Sequence, residues 1–527
     1  MATRVSASTG NPPEPPQPAD AEGSVNQRAR WHEWLGLVLV TSPCLLYSMD
    51  LTVLNLAVPA LSADIKPTGT QLLWIVDVYG FVLAGMLITM GTLGDRIGRR
   101  RLLLYGAGAF ATASIIAAFS RNAVTLIAMR AVLGIAGATL APATLSLIRC
   151  MFNDARERTI AISVWTASYS AGAAIGPIVG GFLLEYFRWG SVFLLSLPIV
   201  FLLLIFGPLL LPEYRDLDAS RLDIPSAVLS LGAVLATVYG LKHMSEGEFD
   251  WTSAVSLTGG AILGVIFFRR QPHLRSPLFD LRLLQAPAFA PAFMTYTLAS
   301  FVSFGALFFI GQYMQLVLGL SPLQAGLWSI PPTAVVVLGA AATPFFRRRL
   351  QPPTLLITGL ALGIVGFSML VSVDQITTPL TLSAMCCVYA FGLTCVYTVA
   401  MDLIVGGVPP QQAGAASAIS EAGSELGAAL GIALLGSLGT AVYRLVLAHS
   451  DPPAATAGTD TLGAAIESAR HLSATAGAAL LEASRAAFVA GFRAVALVSA
   501  LVLALAALLI ARNWVRTPRA VEQEGCG

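Results

Sequence analysis

GTLGDRIGRRR, Gly91–Arg101, sets one acid and four arginines on three glycines between two long apolar runs. Gly91, Gly94 and Gly98 let the backbone turn sharply and come close to a neighbouring helix. Asp95 stands ready to pair with an arginine where helices leave the lipid. The stretch therefore reads as a tight turn between two membrane helices, with Arg96, Arg99, Arg100 and Arg101 holding positive charge on one side of the bilayer.

Composition agrees with that reading. The 527 residues are 56% hydrophobic and only 11% charged, whereas soluble globules carry roughly 25% charged residues. The class that fits is an all-α polytopic membrane protein. A formal net charge of +2 offers no basic surface, so no nucleic-acid partner is expected. Five cysteines (Cys44, Cys150, Cys386, Cys387, Cys395) lie within or beside apolar runs and Cys526 in the tail, with neither disulfide nor zinc spacing. No metal or cofactor is expected. His32, His243, His273, His449 and His471 fall in tails, loops or helix ends, and no nucleophile with a placed base is visible, which argues against an enzyme. The sequence also lacks a GxxxxGK[ST] phosphate loop, so ATP is not expected to drive it directly.

A bilayer core takes about 20 apolar residues per helix, and on that ruler the chain divides into fourteen spans. The expected organisation is a disordered tail (1–32), a six-helix bundle (33–212), two extra helices (213–270), a second six-helix bundle (271–512) and a tail (513–527). Arg347, Arg348 and Arg349 repeat between the tenth and eleventh spans the basic turn found between the second and third, which fits pseudo-repeated halves. An even span count puts both termini on one side. Most arginines fall there, which predicts cytoplasmic termini. The outer segment 445–487 is rich in Ala, Ser, Thr and Gly; its spacing from Ser468 to Phe488 predicts a partly helical hairpin.

Ionisable groups inside a membrane are costly unless paired or wet, so each is a functional candidate. Asp50 lies in MDLTVLNLAVP late in the first span, Asp77 in LWIVDVYG early in the second, and Arg130 opens the fourth. Asp50 and Arg130 are expected either to pair as a proton-sensitive switch or to form a static ion pair, unless Asp50 sits at the outer rim. Trp74 shares a helix face with Asp77, an arrangement suited to a lipophilic cation and equally to an interfacial aromatic belt. Glu421 and Glu425, four residues apart, share one face of the thirteenth span with Ser417. Low dielectric disfavours charging both, so the pair can exchange a proton for a cation; the alternative is a solvated vestibule. Asp402 closes the twelfth span. In the fifth, Gly172, Gly176 and Gly180 recur every fourth residue with Pro177 among them, the mark of close helix contact and a bend. Trp165 and Tyr169 line a cavity or fill core, and Gln312, Tyr313 and Gln315 are further polar candidates.

MDLTVLNLAVP, GTLGDRIGRRR, Arg130 with Gly134 and Gly137, and GAAIGPIVGG at 172–181 together resemble the signature motifs of the fourteen-span drug:proton antiporters of the major facilitator superfamily. LWIVDVYG, VLGLSPLQAGL and SAISEAGSELG narrow the resemblance to its quaternary-ammonium exporters. It runs from about residue 33 to 512. It implies a major facilitator fold of two six-helix halves plus an inserted helix pair, in a bacterial inner membrane, working as a monomer. It also implies proton coupling through Asp50, Asp77, Arg130 and Glu421, and binding of cationic substrate by Asp77, Trp74, Trp165, Tyr169, Gln312, Gln315, Glu421 and Glu425. The turn of Gly91, Asp95, Arg96, Gly98 and Arg99 would act as a conformational latch, and Gly172, Gly176, Pro177, Gly180 and Gly181 as the antiporter motif. Two departures stand out. Ser420 replaces a glutamate of the quaternary-ammonium exporters, and the tenth span has no acid, so divalent cations should be handled less well.

The resulting expectation is proton-coupled efflux of lipophilic cationic drugs, dyes and antiseptics by alternating access, with protons, such cations and the bilayer as partners. A dedicated exporter of one metabolite or self-made antibiotic is the alternative within transport. A receptor or scaffold that does not transport is the alternative outside it.

Overall fold

The computed structural model describes residues 29–152, 154–213, 215, 223–245, 250–274, 289–408, 413–450 and 460–516. Most of both expected tails, and 451–459 of the expected outer loop, lie outside the described residues.

The N-terminal half comprises α1 (Trp31–Ile65), α2 (Gly69–Ile97), α3 (Arg99–Ala118), α4 (Ala123–Met151) and α5 (Ala155–Tyr186). A short α6 (Ser191–Leu194) leads into α7 (Leu197–Leu210), and the two make one span. The inserted pair is α8 (Ile224–Ser245) and α9 (Trp251–Arg270). The C-terminal half begins with α10 (Phe289–Gln312), which ends in a π-helical turn, Tyr313–Val317. It continues through α11 (Pro322–Trp328), α12 (Ile330–Arg347), α13 (Pro352–Leu370), α14 (Pro379–Gly406), α15 (Ala413–His449), a short α16 (Leu462–Arg470) and α17 (Ala474–Arg516). Thirteen spans are long and apolar enough to cross a bilayer, and α1, bent by 43° between Asp50 and Thr52, makes the fourteenth. Helices meet the demand of lipid that backbone amides be satisfied within the segment.

Short polar residues set the helix starts between spans. Thr68 and Gln71 form a reciprocal capping box at α2, Asn122 accepts from the Thr125 amide at α4, and Ser321 with Gln324 repeats the box at α11. The bend in α1 falls where the Thr52 hydroxyl turns back to donate to the Met49 carbonyl at 3.0 Å. At the other end of the sequence α15 runs on to His449 and α17 begins at Ala474, so much of the segment expected as an outer loop is helix. Alanine-rich composition favours that extension.

The halves meet where α2 lies along α15, α5 along α11 and α12, and α1 against α10. Helix α8 leans on α2 and α15 at once, touching both halves, whereas α9 packs on α8 and is largely exposed.

Candidate functional site

The glycine turn at 91–101 is held by charge and by backbone geometry. Gly98 has φ of +112°, a region costly for any side chain, and a Cβ there would run into the Glu213 carboxylate. Asp95 pairs with Arg99 four residues on. Arg100 donates to the Leu211 carbonyl at 2.9 Å, and Glu213 lies 3.5 Å from Arg100 and 3.6 Å from Arg101. The turn is thus clasped to the end of α7, a partner the sequence reading did not name. In the other half, Arg347 pairs with Asp402 and so joins the basic turn after α12 to α14.

The glycine stripe of α5 faces α1. A Cβ at Gly172 would meet the Leu45 carbonyl, one at Gly176 the Thr52 hydroxyl, and one at Gly180 would lie 2.6 Å from Val53. Pro177 and Gly181 bring the far end of α5 against α11, where a Cβ on Gly181 would sit 2.7 Å from the Pro322 carbonyl. The motif therefore packs the bent helix α1 on one side and the opposite half on the other.

Arg130 is buried and ties three helices together. Its Nη1 donates to Asp50 Oδ2 at 2.7 Å, its Nε to the Ile75 carbonyl at 3.1 Å and its Nη2 to the Val76 carbonyl at 3.4 Å, with the guanidinium 4.5 Å from the Tyr79 ring centre. The expected pairing of Asp50 with Arg130 is present. One narrow cavity, lined from both halves, gathers Asp50, Asp77, Tyr79, Arg130, Phe304 and Glu425. Asp50 also borders a second cavity inside the N-terminal half, beside Phe110, Ser114 and Ser196.

Glu425 is buried and accepts the Tyr47 hydroxyl, an α1–α15 contact across the halves. Tyr47 in turn packs at 5.8 Å from Tyr169. Trp165 donates to Thr144 at 3.1 Å, which fixes its indole against α4. Glu421 lies one helical turn from Glu425 and is half-buried. Ser420 is buried and donates to its own helix, to the Ala416 carbonyl at 2.8 Å. Ser300 and Ser424, 2.7 Å apart, and Tyr397, 3.3 Å from Ser303, add hydroxyls between α10, α14 and α15.

Three of the expected substrate residues, Gln312, Gln315 and Asp77, have protein partners of their own. Gln312 and Gln315 do not line the acid cavity, and Gln312 borders a separate one with Leu72, Leu73 and Tyr443. Gln312 donates within its own helix to the Phe308 carbonyl at 3.0 Å, and Gln315 crosses between halves to the Leu56 carbonyl at 2.9 Å. Asp77 does stand beside Trp74, but a cation is already there: Lys242 of α8, 2.8 Å from the carboxylate and 4.1 Å from the Trp74 ring centre. Tyr47 and Lys242 are the participants that sequence reasoning missed. The available signal for Lys242 was that it is one of only two lysines and closes an apolar helix.

The chain matches the profile of the Major Facilitator Superfamily over residues 44–432. It belongs to that superfamily. The multidrug efflux pump LfrA of Mycolicibacterium smegmatis is 41% identical over 480 residues, covering 90% of this chain and 95% of that protein. The methyl viologen resistance protein SmvA of Salmonella typhimurium is 36% identical over 468 residues, covering 87% and 94%. A bacterial homologue of the human lysosomal transporter Spinster, solved inward-facing and unoccupied, has a TM-score of 0.66 at 16% identity, covering 93% of this chain and all of that one. That last likeness is one of fold. This major facilitator protein is a multi-pass membrane transporter and not an enzyme.

Proposed function

We propose that the protein is a proton-driven efflux pump for lipophilic cations, with cytoplasmic termini and outward delivery by alternating access. The observation that carries this reading is the double role of α1. Tyr47 and Asp50, three residues apart, share a face of that helix; Tyr47 reaches Glu425 of the C-terminal half and Asp50 reaches Arg130 of the N-terminal half. A cation approaching Glu425 competes with the Tyr47 hydroxyl, and a proton on Asp50 removes the anion that holds Arg130. Arg130 keeps its Ile75 and Val76 carbonyls and the Tyr79 face, so it stays solvated by protein while α1 is released at its bend. Both events act on one helix, which couples proton entry to cation release. The names of two relatives, a multidrug efflux pump and a protein of resistance to methyl viologen, itself an organic dication, support the efflux direction and the cationic class.

The test is uptake of a fluorescent lipophilic cation into inverted membrane vesicles under an imposed proton gradient, with Asp50→Asn and Glu425→Gln beside the wild type. Gradient-dependent uptake that Asp50→Asn abolishes and Glu425→Gln strongly reduces is the expected outcome. Absence of uptake by correctly folded wild-type protein would move the reading to a dedicated exporter of another compound.

A further inference from the structure

Helix α8 brings Lys242 to Asp77, a residue that lines the acid cavity. Lys242 lies in its last turn, with the ammonium 2.9 Å from Asp77 Oδ1 and 2.8 Å from Oδ2, and both side chains are wholly shielded from solvent. A lysine ending a membrane helix ordinarily extends to the aqueous interface, where its charge costs little. Here the ammonium turns inward over Trp74, and α8 is wedged beside the seam between halves, with Val238 packed against Phe81 of α2 and Ala429 and Ala433 of α15. A carboxylate on one side and an indole face on the other are the contacts that recognise an alkylammonium ligand. Asp77 lines the same cavity as Asp50, Arg130 and Glu425.

We propose that Lys242 is a tethered counter-cation: it occupies the Asp77–Trp74 subsite from the inserted helix pair, and a lipophilic cation gains that subsite only by displacing it. This rests on the reading of the protein as a cation exporter. Lys242 is then a specificity-determining residue that lowers affinity for monovalent cations and helps expel them, and the inserted pair belongs to the transport machinery. Its positive charge neutralises Asp77 while the cavity is empty. The remaining acids, Asp50 and Glu425, are engaged by Arg130 and Tyr47.

Tetraphenylphosphonium binding to the full chain in lipid nanodiscs, by equilibrium dialysis, tests this. The Lys242→Met variant should bind about tenfold tighter than wild type, the change expected when one nearby like charge is removed. Lys242→Arg should stay within about threefold of wild type, because it keeps the charge. If Lys242→Met does not fold, Asp77→Asn is compared with Asp77→Asn/Lys242→Met. The first retains the ammonium without the Asp77 carboxylate, so it should bind about tenfold more weakly than the double variant. Equal affinities in both comparisons would overturn the assignment of Lys242 and leave the cation reading standing. Failure of the folded wild type to bind the probe would overturn both.

Discussion

Arg130 lies 2.7 Å from Asp50 and 3.1 Å from the Ile75 carbonyl, so a single guanidinium ties α4 to both α1 and α2. An ammonium cannot reproduce that fork. Arg130→Lys should therefore keep a positive charge yet lose most transport, with a stability cost of about 1–3 kcal/mol from carbonyls left unpaired. Asp50→Asn should fold and bind cation but lose gradient-driven uptake. Thermal unfolding in detergent alongside vesicle uptake separates the two effects; wild-type transport in Arg130→Lys would show that charge alone suffices.

The α1–α5 contact predicts an asymmetric rescue. At Gly172 an added methyl meets the Leu45 backbone carbonyl, which cannot move without moving α1, whereas at Gly176 it meets the Thr52 hydroxyl. Overpacking of this kind costs about 1–3 kcal/mol. Thr52→Ala should restore transport to Gly176→Ala and leave Gly172→Ala impaired. Equal rescue of both, scored by transport rate and melting temperature, would mean that the close contact is not what limits movement.

Gly98 carries two separable constraints, its positive φ and the neighbouring Glu213 carboxylate. Glu213→Ala relieves the second and not the first. Gly98→Ala should slow transport while leaving cation affinity near wild type, at a local backbone cost of about 1–3 kcal/mol. The Gly98→Ala/Glu213→Ala protein should remain slow. Recovery in the double variant would place the whole effect in the clash.

Tyr47 and Glu425 form a hydrogen bond across the halves, so their substitutions should not be additive. Tyr47→Phe is expected to reduce uptake about threefold to tenfold, and Glu425→Gln to reduce it more. The double variant should be no worse than Glu425→Gln alone. Independent, multiplying losses would show that the two residues act separately.

The membrane architecture was legible because its signals are local: apolar length counts spans, and glycine with arginine marks the turns. The Asp50–Arg130 pair was legible for a related reason, since buried opposite charges need each other and few candidates existed. Lys242 escaped because its place at the end of an apolar helix is what a snorkelling boundary residue would occupy, and helix period alone does not say which neighbour α8 faces. Tyr47 escaped because a tyrosine in an apolar run looks like packing until the opposing acid is placed beside it. Polarity flagged Gln312 and Gln315, but not which space they face: Gln312 borders a cavity with Leu72, Leu73 and Tyr443, apart from the one that holds Asp50, Asp77 and Glu425. The partly helical outer segment was legible from the spacing of Ser468 to Phe488, which α16 and the start of α17 match, alanine being the residue least costly to place in a helix.

The claim that cation binding at Glu425 and protonation of Asp50 are coupled through α1 is tested most directly by proton release. Tetraphenylphosphonium is added to the purified protein in weakly buffered solution containing a pH indicator, and binding is followed in parallel between about pH 6 and 8. The account predicts that the wild type releases protons as the cation binds, with affinity rising toward higher pH, and that combining Asp50→Asn with Glu425→Gln abolishes the release. Cation binding with no proton released, at an affinity independent of pH, would contradict it.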